Sequence, residues 1–447
     1  MAIKALFIIL AVLVVLLVAG VPISYAIGIS SLAAILQVVP LDVSVLTAAQ
    51  RTFVGMSKFS LTAIPFFIMA GNLMNQGGIA KKLVDFVMAI LGKLPGALLV
   101  TNVGTNALFG AISGSASAAA AAVGSMVRQG EEEAGYDPAI SAATNAASAP
   151  SGLLIPPSNA LITFSLASGG TSVAALFLAG YVPGILWALC CVIVAIIIAK
   201  KKGYKGTPGK YSWSNLGKAT LAAIPSLSLI IVVIGGIVGG IFTATEGSAI
   251  AVVYALILGI CYKNITLKKF WEITVDSAKM SGMIVFLIGV SNIMGWVMAF
   301  TQIPQAVADA LLGLTNNFYV ILLIMNLILL IAGIFMDVTP AILIFTPLFL
   351  PIVTQFGMNP VHFGLVLVYN LCIGNITPPV GNTLFVGIKI GRTTLGKVMP
   401  YMLMYYVAIL IGLMLVTYVP FVSLGLPMAA GLILNPVWRK DKGVNLT

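Results

Sequence analysis

Long uncharged apolar runs separated by short polar punctuation set the pattern of this chain. Ala5 to Gly20, Ala174 to Ala199, Leu221 to Ile241 and Val398 to Val419 are each about long enough to cross a hydrocarbon core of roughly 30 Å at about 1.5 Å per residue. Two other stretches, Leu94 to Val127 and Phe318 to Val353, have apolar arms too short for two full crossings. Their middles carry Gly110-Ala111-Ile112-Ser113-Gly114-Ser115-Ala116-Ser117 and Gly333-Ile334-Phe335-Met336-Asp337-Val338-Thr339-Pro340. Each predicts a helix–turn–helix hairpin (94–127 and 318–353) dipping to mid-membrane, where non-helical backbone must be buried in protein or line a wet cavity. The segment after each hairpin, 138–168 and 360–390, predicts a helix broken at Ile155-Pro156-Pro157-Ser158-Asn159 or Thr377-Pro378-Pro379-Val380-Gly381-Asn382. Proline removes a backbone donor and blocks the preceding turn, so carbonyls are freed at these breaks.

These features repeat. Pro378 follows Pro156 at the same distance as Pro360 follows Pro138 (378 − 156 = 360 − 138). Phe66 to Met74 matches Phe286 to Met294, Leu91-Gly92 matches Leu312-Gly313, and Gly169-x-Thr171 matches Gly391-x-Thr393. The halves are therefore roughly 1–200 and 219–423. Paired Pro/Gly interruptions in corresponding halves of a membrane protein are a pointer to a transport site.

Charge orients the halves. Lys200, Lys201, Lys202, Lys205, Lys210 and Lys218 crowd the linker 200–218 without an acidic residue, which places it in the cytoplasm. The turn at Gly169 to Thr171 is uncharged, whereas its counterpart carries Lys389, Arg392 and Lys397; around Lys81, Lys82 and Lys93 the relation reverses. Corresponding loops then face opposite sides, the charge signature of an inverted-topology repeat. Five crossings and one hairpin per half put 17 of the 23 Lys and Arg inside, leaving Lys4, Arg51, Lys58, Arg439, Lys440 and Lys442 outside.

Composition agrees with a polytopic membrane protein: 60% hydrophobic residues, 8% charged, mean hydropathy +1.11. The first run reads as a retained helix rather than a cleaved leader, because its apolar stretch is long and more spans follow. The net charge of +11 sits at the ends of apolar runs and reflects topology, not nucleic-acid binding. Cys190, Cys191, Cys261 and Cys372 lack metal-like or disulfide-like spacing and read as packing residues. No nucleophile elbow, phosphate loop or His/Cys/Asp cluster points to an enzyme.

The two hairpin tips and the Ile155-Pro156-Pro157-Ser158 and Thr377-Pro378-Pro379 breaks resemble the large membrane subunit of tripartite ATP-independent periplasmic (TRAP) transporters, the DctM or SiaM type, over nearly the whole chain. The resemblance implies an all-α, elevator-type carrier of the ion-transporter superfamily in the bacterial inner membrane, driven by Na⁺. It implies as partners a small four-helix membrane subunit, a periplasmic substrate-binding protein and an organic acid, with sialic acid and C4-dicarboxylates both compatible. No small-subunit segment precedes the first run, so the chain looks like an unfused version. In these terms 1–93 holds scaffold and arm helices, 94–172 the first half of a transport domain, and 173–218 a crossing helix and linker. Residues 219–317, 318–397 and 398–447 are the second scaffold and arm set, the second transport-domain half, and the last crossing helix with its tail.

Carried over residue by residue, the resemblance implies one Na⁺ site among Ser113, Ser115, Ser117, Ser148, Ser151 and Pro156. A second lies among Gly333, Asp337, Thr339, Gly374, Asn375 and Thr377, and substrate sits between the tips near Ser113, Ser115, Asn159, Asp337 and Asn382. The residues alone support this in part. Segments 101–127, 138–170 and 320–386 are read as lacking a cationic clamp for an anion, which leaves helix dipoles, hydroxyls and bound Na⁺ to hold it. An acidic residue within an apolar run, as Asp337 is, marks a functional candidate. The serines also read as small residues permitting close helix approach. Asn72 and Asn292 read as interhelical hydrogen bonders, Glu131 to Glu133 as a solvated loop, and His362 as a surface residue near a helix start. Glu246 reads equally as a scaffold hydrogen bond or a partner contact. A stand-alone Na⁺- or H⁺-coupled anion carrier, working without a binding protein, is the alternative; a channel is more distant.

Overall fold

Every regular element among the described residues is helical. The structure is a computed structural model that describes residues 1–206 and 213–433. Lys210, Arg439, Lys440 and Lys442 of the charge pattern lie outside the described residues.

The first half opens with α1 (Ala2–Val18), α2 (Ile23–Ile35), α3 (Leu41–Met56), α4 (Ala63–Gln76) and α5 (Ile79–Leu91). The hairpin follows as α6 (Ala97–Ser113) and α7 (Ala116–Glu133), then the broken segment as α8 (Pro138–Ser148), α9 (Ser151–Leu154) and α10 (Asn159–Ala167), and α11 (Val173–Lys202) closes the half. The second half repeats the order with α12 (Trp213–Val238), α13 (Ala244–Cys261), α14 (Leu267–Phe300) and α15 (Ile303–Leu314). Its hairpin is α16 (Phe318–Phe335) and α17 (Val338–Gln355), its broken segment α18 (Pro360–Gly374) and α19 (Asn382–Ile390), and α20 (Leu395–Tyr418) and α21 (Pro420–Ala429) end it. Among the described residues seven helices are long and apolar enough to cross a membrane, or eight if α3 and α4, bent by 58°, count as one. The break falls at Ser57 and Lys58, the latter one of the basic residues left outside, and Pro65 follows it. Proline is tolerated in the first turn of α4, whereas its counterpart in the second half, Val285, lies inside the unbroken α14.

Local chemistry sets the same starts in both halves. Asp137 accepts the Ala139 N–H at 2.8 Å ahead of Pro138, and Asn359 accepts the Val361 N–H at 2.8 Å ahead of Pro360. A side-chain cap followed by proline at the first helical position is a strong helix start. The hairpin arms then meet the broken segments at paired glycines. A β-carbon on Gly110 would lie 2.7 Å from the Gly152 Cα, and one on Gly374 would run into the Gly333 backbone. The two crossings occupy equivalent places in the halves: Gly374 answers Gly152 at the spacing of the proline pairs (374 − 152 = 378 − 156), and Gly333 answers Gly110 one position beyond it.

Packing interleaves the halves. α10 lies against α17 and α18 of the second half, while α19 lies against α7 and α8 of the first. A second group forms around α2, α3, α4, α13 and α14, with α12 against α5 and α13, and joins the first through α4 on α6 and α14 on α17.

Three polar residues, Glu131, His362 and Asn292, depart from the sequence reading. Glu131 is no loop residue: α7 continues to Glu133, and Glu131 turns inward with 3% exposure, while Arg128 and Glu132 pair at 2.5 Å on the outer side. His362 is 1% exposed rather than on the surface, because α21 folds back over the start of α18; its Nδ1 meets the Ser423 hydroxyl at 2.9 Å and its Nε2 the Thr417 carbonyl at 3.2 Å. Glu246 completes a capping box with Thr243, which gives it a scaffold hydrogen bond. Asn72 donates across to the Ser277 hydroxyl at 2.9 Å, whereas Asn292 donates to the Ile288 carbonyl of its own helix at 3.0 Å.

Candidate functional site

Four helices begin at one cavity. Gly114, in a left-handed conformation at φ +62°, ends α6 and lets the chain reverse, and Ser115 caps α7 by accepting the Ala118 N–H at 3.3 Å. After its own break, Ser158 caps α10 through the Leu161 N–H at 3.4 Å. Asp337 holds the equivalent cap position of α17, and Gly381 that of α19. The N-terminal residues Ala116, Asn159, Val338 and Asn382 all line a cavity of about 410 Å³. A helix N-terminus carries roughly +0.5 of a charge, so the four together present roughly +2.

The remaining lining is polar but short of charge. Among the described residues the cavity wall includes no Lys, Arg or His, and its single carboxylate is Asp337. That carboxylate is exposed to the cavity, takes no helix-cap hydrogen bond, and shares the wall with Asn382. The Asn375 Oδ1 is buried with no hydrogen-bond partner in the protein, as is the Asn159 Oδ1. Asn72, Asn75 and Ser24 complete the polar wall from the second helix group, and Met280, Met283 and Leu287 supply an apolar one.

The expected ligands divide between the cavity and its supports. Ser113, Ser115, Ser117, Asn159, Asp337, Thr339, Asn375 and Asn382 reach the cavity. Within the first tip the Ser113 hydroxyl donates to the Ser115 carbonyl at 3.3 Å, and the Ser115 and Ser117 hydroxyls are 3.2 Å apart. Ser148 and Ser151 lie behind: Ser148 accepts from Asn106 at 2.8 Å, and Ser151 donates to the Ser148 carbonyl at 2.6 Å. Pro156 is buried beside them, Gly333 and Gly374 pack on each other, and Thr377 donates to the Ile373 carbonyl at 2.7 Å. Hydroxyl, carbonyl, amide and carboxylate oxygens are the donor set that a hard cation takes.

Sequence reasoning missed what holds the tips. Asn106 donates to Asn102 Oδ1 at 2.7 Å, to Asn145 Oδ1 at 3.0 Å and to Ser148, which ties α6 to α8. In the second half Asn370 donates to Asn326 Oδ1 at 2.8 Å, and Asn326 to Thr417 at 3.2 Å, which ties α16 to α18 and α20. The signal was present, because these residues are repeat equivalents: Asn326 answers Asn106 (326 − 106 = 286 − 66) and Asn370 answers Ser148 (370 − 148 = 378 − 156). We expect Asn106→Leu to lower unfolding stability by about 1–3 kcal/mol, the cost of buried polar groups left without a partner. An unchanged melting midpoint in a thermal unfolding assay would remove this network as the hairpin's anchor.

The sequence pattern described as "Tripartite ATP-independent periplasmic transporter, DctM component" matches residues 10–422. The chain belongs to this family. Relatives of the DctM chain span nearly its full length. A Salmonella typhimurium protein named YgiK, itself uncharacterized, is 49% identical over 92% of this chain and 95% of its own. The C4-dicarboxylate TRAP transporter large permease protein DctM of Rhodobacter capsulatus is 35% identical over 95% and 99% of the two chains. The sialic acid TRAP transporter large permease protein SiaM of Vibrio cholerae is 34% identical over 92% and 96%. The YdaH transporter of Alcanivorax borkumensis shares the fold of this DctM chain, with a TM-score of 0.57 at 16% identity over 83% and 88% of the two chains. The DctM chain is thus a membrane transport component and not an enzyme.

Proposed function

We propose that this chain is the translocating subunit of a Na⁺-coupled importer of an organic acid, of the sialic acid or C4-dicarboxylate class, in the bacterial inner membrane. The observation that carries the reading is the convergence of four helix N-termini on a cavity that holds oxygen ligands and one carboxylate but no cationic side chain. Dipoles attract the acid, and Na⁺ at the tips completes the charge balance. A small four-helix subunit and a periplasmic binding protein are its partners, as the relatives' names and the family imply. The recurring offsets support two inverted repeats. The interleaved hairpins and broken helices support an elevator-like movement of that group against the other, with inward Na⁺ contributing about 2.3 kcal/mol per charge per 100 mV.

Purified protein titrated with Na⁺, choline replacing it at constant ionic strength, should gain stability as RT ln(1 + [Na⁺]/Kd), about 2.7 kcal/mol at a hundredfold excess over Kd. A saturable rise specific to Na⁺ is the expected result; equal curves in the two salts would remove Na⁺ sites from the isolated subunit. Proteoliposomes with this chain alone separate the tripartite reading from a stand-alone carrier. Uptake without any partner would establish the latter.

A further inference from the structure

Among the described residues Glu131 is the one acidic residue buried in the protein; Asp337, by contrast, opens to the cavity of the tips. Glu131 lies near the end of α7, beyond the apolar arm of the first hairpin. Tyr136, just after that helix, stacks on Tyr204 of the basic linker at 4.1 Å, which puts this end of the hairpin on the cytoplasmic side. A second, small cavity of about 20 Å³ lies here between α6, α7, α8 and α19, room for about one water molecule. Glu131, Asn102 of α6 and Ser141 of α8 line it, each at most 8% exposed. The Glu131 Oε1, the Asn102 Nδ2 and the Ser141 hydroxyl have no hydrogen-bond partner in the protein.

No cation offsets this carboxylate. Among the described residues no Lys, Arg or His pairs with Glu131, and Arg128, which shares the wall, pairs with Glu132 instead. Tyr136 is the other titratable group of the wall, to which α6, α8 and α19 bring none. Behind α8, Tyr405 of α20 bonds to Thr144 at 2.7 Å. On the other flank of α7, Lys82 and Asp85 of α5 and Lys218 of α12 line a separate cavity.

A carboxylate withdrawn from water without a counter-charge is costly as the anion, so it takes up a proton or a metal cation. The wall decides between them. A hard cation takes about six or more oxygen ligands, whereas the unpartnered oxygens here belong to Glu131 and Ser141 and stand beside an N–H donor. Those three groups suit a neutral carboxylic acid. Its O–H has the Ser141 oxygen to donate to, and its carbonyl has the Asn102 Nδ2 to accept from, directly or across one water.

We infer that Glu131 is a proton-binding site at the base of the first hairpin, distinct from the ion ligands at the tips. The bound proton keeps the end of α7 seated on α6 and α8. Asn102 also accepts from Asn106, which bonds to Ser148 behind the first tip, so the proton sits at the foot of the network that anchors that tip. Its release leaves an unpaired charge in the wall, and the end of α7 must then turn Glu131 out to water.

The test is infrared spectroscopy of the purified full chain from about pH 5 to about pH 9, beside thermal melts at constant salt. Wild type should show a carboxylic-acid carbonyl band that persists well above the ordinary glutamate value of about 4.3 and fades toward the alkaline end. Glu131→Gln, which keeps the shape of the neutral side chain, should lack the band, and Asp337→Asn should keep it. The fold then holds a proton that the unfolded chain has released. Stability is therefore full below the ordinary glutamate range and falls as pH rises, by up to about tenfold in the folding equilibrium per pH unit until the proton leaves the fold. Glu131→Gln should remove that fall. A wild type without the band at about pH 6 overturns the inference whatever the variants do. A band that survives in Glu131→Gln or vanishes in Asp337→Asn overturns it as well, as do parallel stability curves for wild type and Glu131→Gln.

Discussion

Asp337→Asn should shift the Na⁺ concentration for half-maximal stabilisation upward by roughly ten- to a hundredfold, the value of a hydrogen bond or ion contact to a charged group. The substitution keeps the size and cap position of the side chain, since asparagine is as good an N-cap as aspartate. What it removes is the one negative charge in the cavity wall. Backbone and hydroxyl oxygens at the second tip remain, so residual, weaker Na⁺ binding is expected rather than none. Parallel titrations of thermal stability and of Na⁺-dependent uptake in proteoliposomes that also hold the partner subunit and binding protein read the shift twice. A wild-type midpoint in both would take Asp337 out of ion coupling and leave it a hairpin-cap residue.

Gly152→Ala should be among the most damaging single methyls at the described glycines. Its β-carbon would run into the backbone of Gly110 and Ala111, and neither neighbour is a side chain able to rotate away. The arms must separate, at about 3 kcal/mol by the upper range for overpacking, and the tip moves with α6. Gly374→Ala repeats the clash against Gly333 in the second half. Gly396→Ala is the control: it lies in α20 with open space where the methyl would go, and a helical glycine replaced there should gain up to about 1 kcal/mol. Thermal midpoints decide. If Gly152→Ala melts with wild type, the glycine crossing is not what brings the tip to the break.

What the sequence disclosed is what repeats or breaks a period. Prolines 156 and 378, the glycine-marked tips and Asp337 interrupt apolar runs, and such interruptions are legible one chain segment at a time. The fold brings Ser113, Ser115, Ser117, Asn159, Asp337, Thr339, Asn375 and Asn382 to one cavity, although they are spread over more than half of the chain. Partner identity was illegible. No periodicity tells that Asn106 will face Ser148, that His362 will be covered by the last helix, or that one of three consecutive glutamates will turn inward. Those facts depend on which helix packs where, and a polar side chain in an apolar run looks the same whether it meets a ligand, a neighbour or water.

The interleaving of α10 with α17 and α18, and of α19 with α7 and α8, bears on how the protein is made. The hydroxyls of the first tip enter the bilayer during synthesis well before α19 exists to wall them off. At about 5–20 residues per second, the chain between the two halves of the cavity takes tens of seconds to appear. Throughout that interval a half-built hairpin with polar turn residues must be shielded by something other than its final neighbours. A ribosome-stalled nascent chain ending before Asn382 should therefore be a better substrate of membrane quality control than one ending after Ile390.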